Sequence, residues 1–497
     1  MSLSSEITLA DTLRSGVALD DLFASATRTG NGRVWAQSCA SDWRQVQPGD
    51  LYVALPEGCG NGQGEEGHQH AKRAVSCGAI AVICEQPVPV FDVPTYLVLD
   101  SRAALGELCQ ALVNHPTRSL PTIGVTGTQG KSTTLALLDA IFAAAGHQCG
   151  VLSSLGCYDG MSHSEGISDA PSAPTLALRL ANMAAAQCSH ALLEVSSQAL
   201  SLRCVAGVQF DTVCVTNVTE AHLELHNSLQ NYRDTKQRIL SLLSPTGVTI
   251  LNADDPVCMK WIDQAPGAVL TYGLGSQAEI RAQIIERHGN EQVFVLTAGS
   301  ESTAVRTTIV GEHHVSNCLA AAALALTYGV NLPTIAKGIQ SVEQLPNRME
   351  RVDCGQGFPV YVDAAETPDA LRATLRTARQ LARNRVICVL GDKTIASATE
   401  EYAVCQIVRR MADLAIVTRP LAGSSDHNSA TVEVASDRGE AIAWAVSMAE
   451  PGDVVVIAGS QAQPRWTFGV RTDDLSDAEI ARRLLYARNQ AQLRVAA

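Results

Sequence analysis

The run Gly124-Val125-Thr126-Gly127-Thr128-Gln129-Gly130-Lys131-Ser132-Thr133-Thr134 carries the strongest chemical signal in the sequence. Its residue types suit a polyphosphate. Gly127 and Gly130 let backbone N–H groups turn inward with no Cβ in the way. A helix opening at Lys131 adds positive potential, the lysine reaches the terminal phosphates, and the Ser132 hydroxyl suits Mg²⁺. The general phosphate-loop pattern wants glycine at 125, where valine stands, so the match is to the T-G-T-x-G-K-[ST] form. The bland reading is a glycine turn with a solvent lysine. It does not account for Gly130-Lys131-Ser132 placed directly after an apolar strand.

Three further segments carry ionisable groups at the ends of apolar runs. Glu194 closes Ala191-Leu-Leu-Glu194-Val195, and a carboxylate at the end of a buried strand is costly unless paired or bound to a metal. In a parallel sheet it would stand at the edge where ligands gather, over the phosphate loop. His222 and His226 lie four apart after Thr216-Asn217-Val218-Thr219, a spacing that puts both on one helical face. A two-histidine zinc site is conceivable, but no glutamate follows the first histidine as in H-E-x-x-H. Lys236 sits on a largely polar helical stretch from Asn227 and, by itself, reads as a solvated lysine.

The elements that must hold these residues alternate. Residues 122–126, 191–195, 212–216 and 248–251 read as buried strands, and 131–145 and 228–243 as helices. This is an α/β pattern, a parallel sheet covered on both faces. Around 280–310, QVFVLTAG and TAVRTTIV read instead as an antiparallel pair. After residue 346 the alternation resumes with YVDAA, a helix from Thr367, RVICVLG, LAIVT and DVVVIAG. Proline-bearing joints near 118 and 345 divide the 497 residues into 1–118, 119–345 and 346–497. No internal repeat or low-complexity tract interrupts them.

Composition narrows the partners. Apolar residues are 46% of the chain, enough for several cores, and the net charge of −13 argues against nucleic acid or an anionic membrane surface. No apolar run is long enough to span a bilayer, and the first residues lack a signal peptide's basic end, so a cytoplasmic protein is expected. Fifteen cysteines without a C-x-x-C pair read as buried, reduced thiols.

Taken in order, TGTQGKSTT, LEVSSQAL, TNVTEAHLELHNSLQNYRDTK, LNADDP, GEHHVSNCLAAAALALTYGV, LPNRMERVD and VDAAETPDAL resemble the Mur ligases. These are ATP-dependent enzymes that add amino acids to the muramic acid-linked peptide of peptidoglycan precursors. Within them the chain is most similar to the MurE branch, which adds the third residue. PGDLYVALPEG also fits that family's uridine-nucleotide domain.

The resemblance implies three domains: one binding the UDP end, a central P-loop parallel sheet with a small antiparallel subsheet, and a C-terminal Rossmann-like domain that closes over the site. It implies that Gly127, Thr128, Gly130, Lys131, Ser132 and Thr133 cradle ATP. Ser132 and Glu194 would hold one Mg²⁺, His222 would serve a second, and Lys236 matches the lysine that carries a carbamate. Asn252, Asn317, Arg348 and Asp363 match positions for adenine, phosphate or ribose. Ser172, Ser196 and Arg203 would face the UDP-N-acetylmuramoyl-peptide, and Lys131, Glu194, His222 and Lys236 would do the catalytic work. The implied partners are that peptide and an amino acid, with the protein a monomer. The implied chemistry is attack of a peptide carboxylate on the γ-phosphate, then attack of the amino acid on the acyl phosphate.

The departures gather in the last third. The family's D-Y-A-H-[TN]-P reads Asp363-Ala364-Ala365-Glu366-Thr367-Pro368, placing an acid where nucleotide is expected. D-N-P-R, the carboxylate grip of diaminopimelate-adding relatives, is replaced by Arg419-Pro420-Leu421-Ala422-Gly423, and K-G-H-E by Ser460-Gln461-Ala462-Gln463. Thr-Thr-Pro becomes Ser172-Ala173-Pro174, and the basic residue after E-V-S-S-H falls one position early, at Arg203. Arg419 and Arg465 are the replacement candidates for the lost clamp. Two readings follow: an active ligase that does not take meso-diaminopimelate in the standard manner, or a non-catalytic relative that binds nucleotide or UDP-precursor as a scaffold or regulator.

Overall fold

Short strands, the central ones buried on both faces, alternate with helices and assemble into three large sheets, with two further two-stranded pairs among the described residues. The computed structural model describes residues 16–57, 66–166, 170–221, 223–288, 291–391, 398–419, 431–459, 466–467, 470–471 and 475–496. The first sheet has five strands in the order Thr27–Thr29, Thr95–Leu97, Ala81–Cys84, Leu51–Val53, Cys39–Ala40. Helix Ser101–Leu112 covers one face and Ala71–Ser76 the other. Ala173 and Ala177, from the helix Ala173–Ala185 of the next segment, complete the first of these cores.

The central sheet has eleven strands. Seven run parallel, in the order Cys149–Ser153, His190–Glu194, Thr122–Thr126, Phe210–Val215, Leu243–Asn252, Ala268–Gly273 and Ile280–His288. Glu291–Ala298 and Glu301–Thr307 extend it antiparallel, as the sequence pattern predicts, and a short hairpin caps the opposite edge. Period-2 alternation then sorts the side chains. Ile123, Val125 and Leu192 pack under helices Lys131–Ala144, Glu312–Thr327 and Leu332–Ser341, while Ala191, Leu193 and Val213 face Ala173–Ala185. The third sheet has six strands, Glu350–Val352, Val360–Asp363, Val454–Ala458, Val386–Leu390, Leu414–Val417 and Thr431–Val434, all parallel except the first. Helices Pro368–Leu381 and Ala398–Met411 cover one face, and Arg438–Met448 and Asp477–Ala496 the other.

The strands expected from the sequence are present. Cys149–Ser153, Ala268–Gly273 and Thr431–Val434 are among the additional strands. The first contains a glycine, the second ends on one, and the third is an edge strand with three of its four residues exposed. The helix expected over 228–243 stops at Gln237 and tightens into a 3₁₀ turn, Arg238–Leu242, before the next strand begins at Leu243. No helix among the described residues is long and apolar enough to cross a membrane. Most of the described cysteines are buried free thiols.

The phosphate-loop helix is fixed by a close approach. Gly338 lies against the backbone of Ile141, so a Cβ there would strike main chain rather than a movable side chain. Gly338→Ala should therefore push two core helices apart and lower the unfolding free energy by about 1–3 kcal/mol. Urea titration checks this, and wild-type stability would show that the helices separate without cost.

Candidate active site

Strand Thr122–Thr126 lies between Glu194's strand and Phe210–Val215, in register so that Glu194 pairs with Val125 and Val215 with Thr126. Three chain segments therefore end together at the carboxyl edge of the sheet. From this edge the loop 127–130 turns into helix Lys131–Ala144, with Gly130 as the cap at φ 84°. Side chains replace main-chain pairing in holding the loop. Asn217 Oδ1 accepts the Gln129 N–H at 3.0 Å, and Asn217 Nδ2 and Thr216 Oγ1 both donate to the Gln129 carbonyl. The Thr128 N–H donates to the Asn217 carbonyl at 2.8 Å, and the Thr128 hydroxyl meets Tyr232 OH at 2.9 Å. Asn317 lies directly against Gly130, where any larger residue would collide with its amide.

Two lysines converge on one oxygen. Lys131 Nζ lies 3.1 Å from the carbonyls of Gly127 and Thr128, and Lys236 Nζ lies 2.7 Å from the carbonyl of Gly127. Lys236 is 1% exposed, so the solvated reading of this residue is wrong. The helix points it inward over the Tyr232 ring, 4.9 Å from the centroid. Burial first, and the Lys131 charge second, hold its pKa well below the usual lysine range, against a smaller opposing pull from Glu194.

Beside them Ser132 and Glu194 are joined through Ser154. The Ser154 hydroxyl is 2.7 Å from Ser132 Oγ, and its N–H donates to Glu194 Oε2 at 2.9 Å. These are hard oxygen donors. A single carboxylate and a hydroxyl suit Mg²⁺, which takes its remaining ligands from phosphates and water. No cluster of three histidine, cysteine or carboxylate groups suited to a metal occurs among the described residues, so they hold no zinc cage. His226 is buried next to Tyr232, with ring centroids 5.2 Å apart. His222 lies outside the described residues. An aliphatic cavity lined by Leu152, Leu176, Leu193 and Val205 opens beside Glu194 and Ser196.

The other sequence candidates fall into two groups. Asn252 and Asp363 are buried and engaged within the protein. Asn252 donates to the Thr216 carbonyl and accepts from Asp254 N–H, while Asp363 accepts from Met349 N–H and the Thr374 hydroxyl. They brace the site from behind. Arg348 is half-buried and donates to the Asn347 carbonyl. Ser172 and Ser196 cap the helices that follow them, and Arg203, at φ 57°, pairs with Asp100 at 2.9 Å. Glu366 is exposed. Arg419 is exposed at the end of Leu414–Val417, 4.0 Å from Glu401. Arg465 and the stretches 420–423 and 460–463 lie outside the described residues. Sequence reasoning missed Ser154, Thr216, Asn217, Tyr232 and Thr367. Asn217 and Tyr232 stand inside motif words already quoted, but nothing in their spacing marks them as loop supports.

Residues 125–325 match the Mur ligase middle domain, and 347–461 match the Mur ligase glutamate ligase domain. A UDP-N-acetylmuramoyl-L-alanyl-D-glutamate–2,6-diaminopimelate ligase from Geobacillus thermodenitrificans is 33% identical over 460 residues, covering 89% of this chain and 93% of its own length. A solved ligase of the same description aligns with TM-score 0.69 at 24% identity, over 95% of this chain and 99% of that one. The MurF ligase from Thermotoga maritima in complex with ADP aligns with TM-score 0.59 at 16% identity, over 93% and 98%. At these identities the two solved structures speak for the fold.

The buried lysine has a measurable signature. Between its depressed folded pKa and the ordinary value of 10.5, the unfolded chain binds a proton that the folded protein does not. Stability from this group therefore rises with pH, by about 1.4 kcal/mol per unit. In CO₂-free buffer, the stability of the wild type minus that of Lys236→Met should climb as pH rises above the depressed folded pKa and level off near 10.5. Parallel curves in urea titrations would mean that Lys236 stays charged when buried.

Proposed function

The chain belongs to the Mur ligase family, and on that premise we propose that it is an ATP-dependent ligase of peptidoglycan precursor synthesis, joining an amino acid to a UDP-N-acetylmuramoyl-peptide through an acyl phosphate. The observation that carries this reading is the meeting of Lys131, Lys236, Ser132 and Glu194 at one edge of the sheet. The three segments, divided near 118 and 345, then serve the UDP end, ATP and the amino acid in turn. The same reading takes the protein to be a cytoplasmic monomer.

The first step brings an acceptor carboxylate onto the γ-phosphate, two anions in contact. Catalysis is therefore mostly charge neutralisation and positioning. Backbone N–H groups at the opening of helix Lys131–Ala144 cradle the phosphates and Lys131 supplies the point charge, while those of Thr128 and Gln129 are already given to Asn217. Asn217 and Thr216 hold the loop's main chain at Gln129. Ser132 and Glu194 would hold a Mg²⁺, which would supply charge neutralisation at the phosphates. The aliphatic cavity beside Glu194 suits a small apolar group of the acceptor peptide. Its carboxylate then displaces ADP from the γ-phosphorus, and the amino acid's amine displaces phosphate from the acyl carbon.

Lys236 fits a further role. Burial favours its neutral amine, the form that attacks CO₂. An N–C bond forms, one proton leaves, and a carbamate anion results. That anion removes the repulsion between two lysines on one carbonyl and gives the site a second oxygen ligand. His222 is proposed for a second Mg²⁺ from the sequence alone. The whole phosphate loop and the ligase relatives favour the catalytic reading over the non-catalytic one.

The amino-acid clamp is assigned to Arg419, whose exposed guanidinium stands at the carboxyl edge of the third sheet. A free α-carboxylate calls for a charge-assisted, bidentate partner. Phosphate release with ATP, UDP-N-acetylmuramoyl-dipeptide and a panel of amino acids tests the reading. Lys131→Ala should abolish Mg-ATP binding in calorimetry, and unchanged affinity would refute the loop assignment. Lys236→Ala should be nearly inactive and regain turnover with short carboxylates, and full turnover without them would remove the carbamate. Arg419→Ala should raise the amino acid's KM roughly 10- to 100-fold with ATP affinity unchanged. Strong diaminopimelate-dependent release, insensitive to alanine at Arg419 and Arg465, would sink the clamp.

A further inference from the structure

One hydrogen bond joins the phosphate loop to the third sheet's helices. Gln129 Nε2 donates to Thr367 Oγ1 at 3.0 Å, across 238 residues of sequence. We propose that Gln129 and Thr367 form a latch through which occupancy of the phosphate loop is transmitted to the start of helix Pro368–Leu381, making both of them positioning residues for the ligation. The proposal deepens the ATP-dependent reading above and rests on it.

The main chain of Gln129 has little freedom of its own. Its N–H and carbonyl are taken by Asn217 and Thr216, which hold the loop to the end of strand Phe210–Val215. Only the half-buried side chain leaves the loop, and it leaves toward the third sheet. Thr367 is equally constrained. Its hydroxyl oxygen caps helix Pro368–Leu381 by accepting the Ala370 N–H at 3.2 Å. With Gln129 as the second donor, both lone pairs are used and only its own proton remains to be given. The hydroxyl is thus a junction between a cap and the loop. Four residues upstream of Thr367, Asp363 ties Met349 and Thr374 together, so a shift at the cap is felt by the strand and helix that frame the crevice.

The side chain's length and chemistry suit the task. A glutamine spans the gap and presents N–H donors to an oxygen whose cap bond already orients it. Methionine would span the same gap with no donor. A threonine or serine at 367 keeps both the cap and the acceptor, whereas valine loses both. A static contact between neighbouring surfaces would not respond to nucleotide. A latch would.

Hydrogen–deuterium exchange on the full chain, with and without Mg-ADP, separates these cases. In the wild type, Mg-ADP should protect both loop peptides spanning 122–140 and helix peptides spanning 366–380. The helix effect should be roughly 2- to 10-fold, the scale of one neutral hydrogen bond. Gln129→Met should keep loop protection and lose the helix protection, and Thr367→Ser should keep both. Thr367→Val, outside the loop, should also lose only the helix response, and it decides the matter if Gln129→Met binds no nucleotide. The ligation rate should fall in Gln129→Met and Thr367→Val while Thr367→Ser stays near wild type. Full helix protection in Thr367→Val, or a wild-type helix unmoved by Mg-ADP while the loop is protected, overturns the latch alone. A wild-type loop that Mg-ADP does not protect overturns the nucleotide reading and the latch with it.

Discussion

A single carbonyl oxygen, that of Gly127, receives two lysine side chains, and much of the site follows from that arrangement. Two ammonium groups cannot share one acceptor in a buried space without strong repulsion. One of them must lose its charge or gain an anionic partner. Lys236, the more deeply buried, is the one whose proton is disfavoured. The site is therefore incomplete electrostatically until anions enter it. Phosphates, a carbamate and Glu194 are anions of the kind this arrangement calls for. A pocket built this way has its affinity for negative charge set by the fold before any ligand arrives.

The fold supplies this by register. Glu194, Thr126 and Val215 end level on adjacent parallel strands, so the turns that follow meet over one edge. A shift of one residue in the pairing of strand His190–Glu194 would turn Glu194 to the opposite face of the sheet and away from Ser154. Close packing behind the edge keeps that register. The phosphate-loop helix is pressed against Leu332–Ser341 at Gly338, and Gly124 leaves room for the Phe210 ring under the strand that feeds the loop. The small residues are there because larger neighbours need the space.

Support of the loop comes from polar side chains placed just beyond the strand ends. Thr216, Asn217 and Asn252 bond to main-chain groups that no strand ladder can reach. Such groups cost free energy if left unpaired in a buried edge. Asp363 does the same in the third sheet. Several positions that a family resemblance assigns to nucleotide are thus also struts, and a substitution there would disturb the frame as well as any contact.

The sequence determined a great deal by itself. The glycine-lysine-serine loop after an apolar strand, the β-α alternation, the antiparallel pair near 300 and the order of the family's motifs were legible because they depend on local spacing. Lys236 was not. On its helix it stands among polar neighbours and reads as solvated, and only the packing of that helix beneath the loop buries it. Ser154 follows a strand whose short, glycine-containing run gave no signal, yet it joins Ser132 to Glu194. Gln129 and Thr367 are 238 residues apart and meet only because the loop that follows a strand of one sheet reaches a helix cap that follows a strand of another. Periodicity reports which face of an element is apolar. Which other element comes to cover that face, and so which charge is desolvated and which hydroxyl finds a donor, is decided by tertiary contacts between residues with no sequence relation to one another.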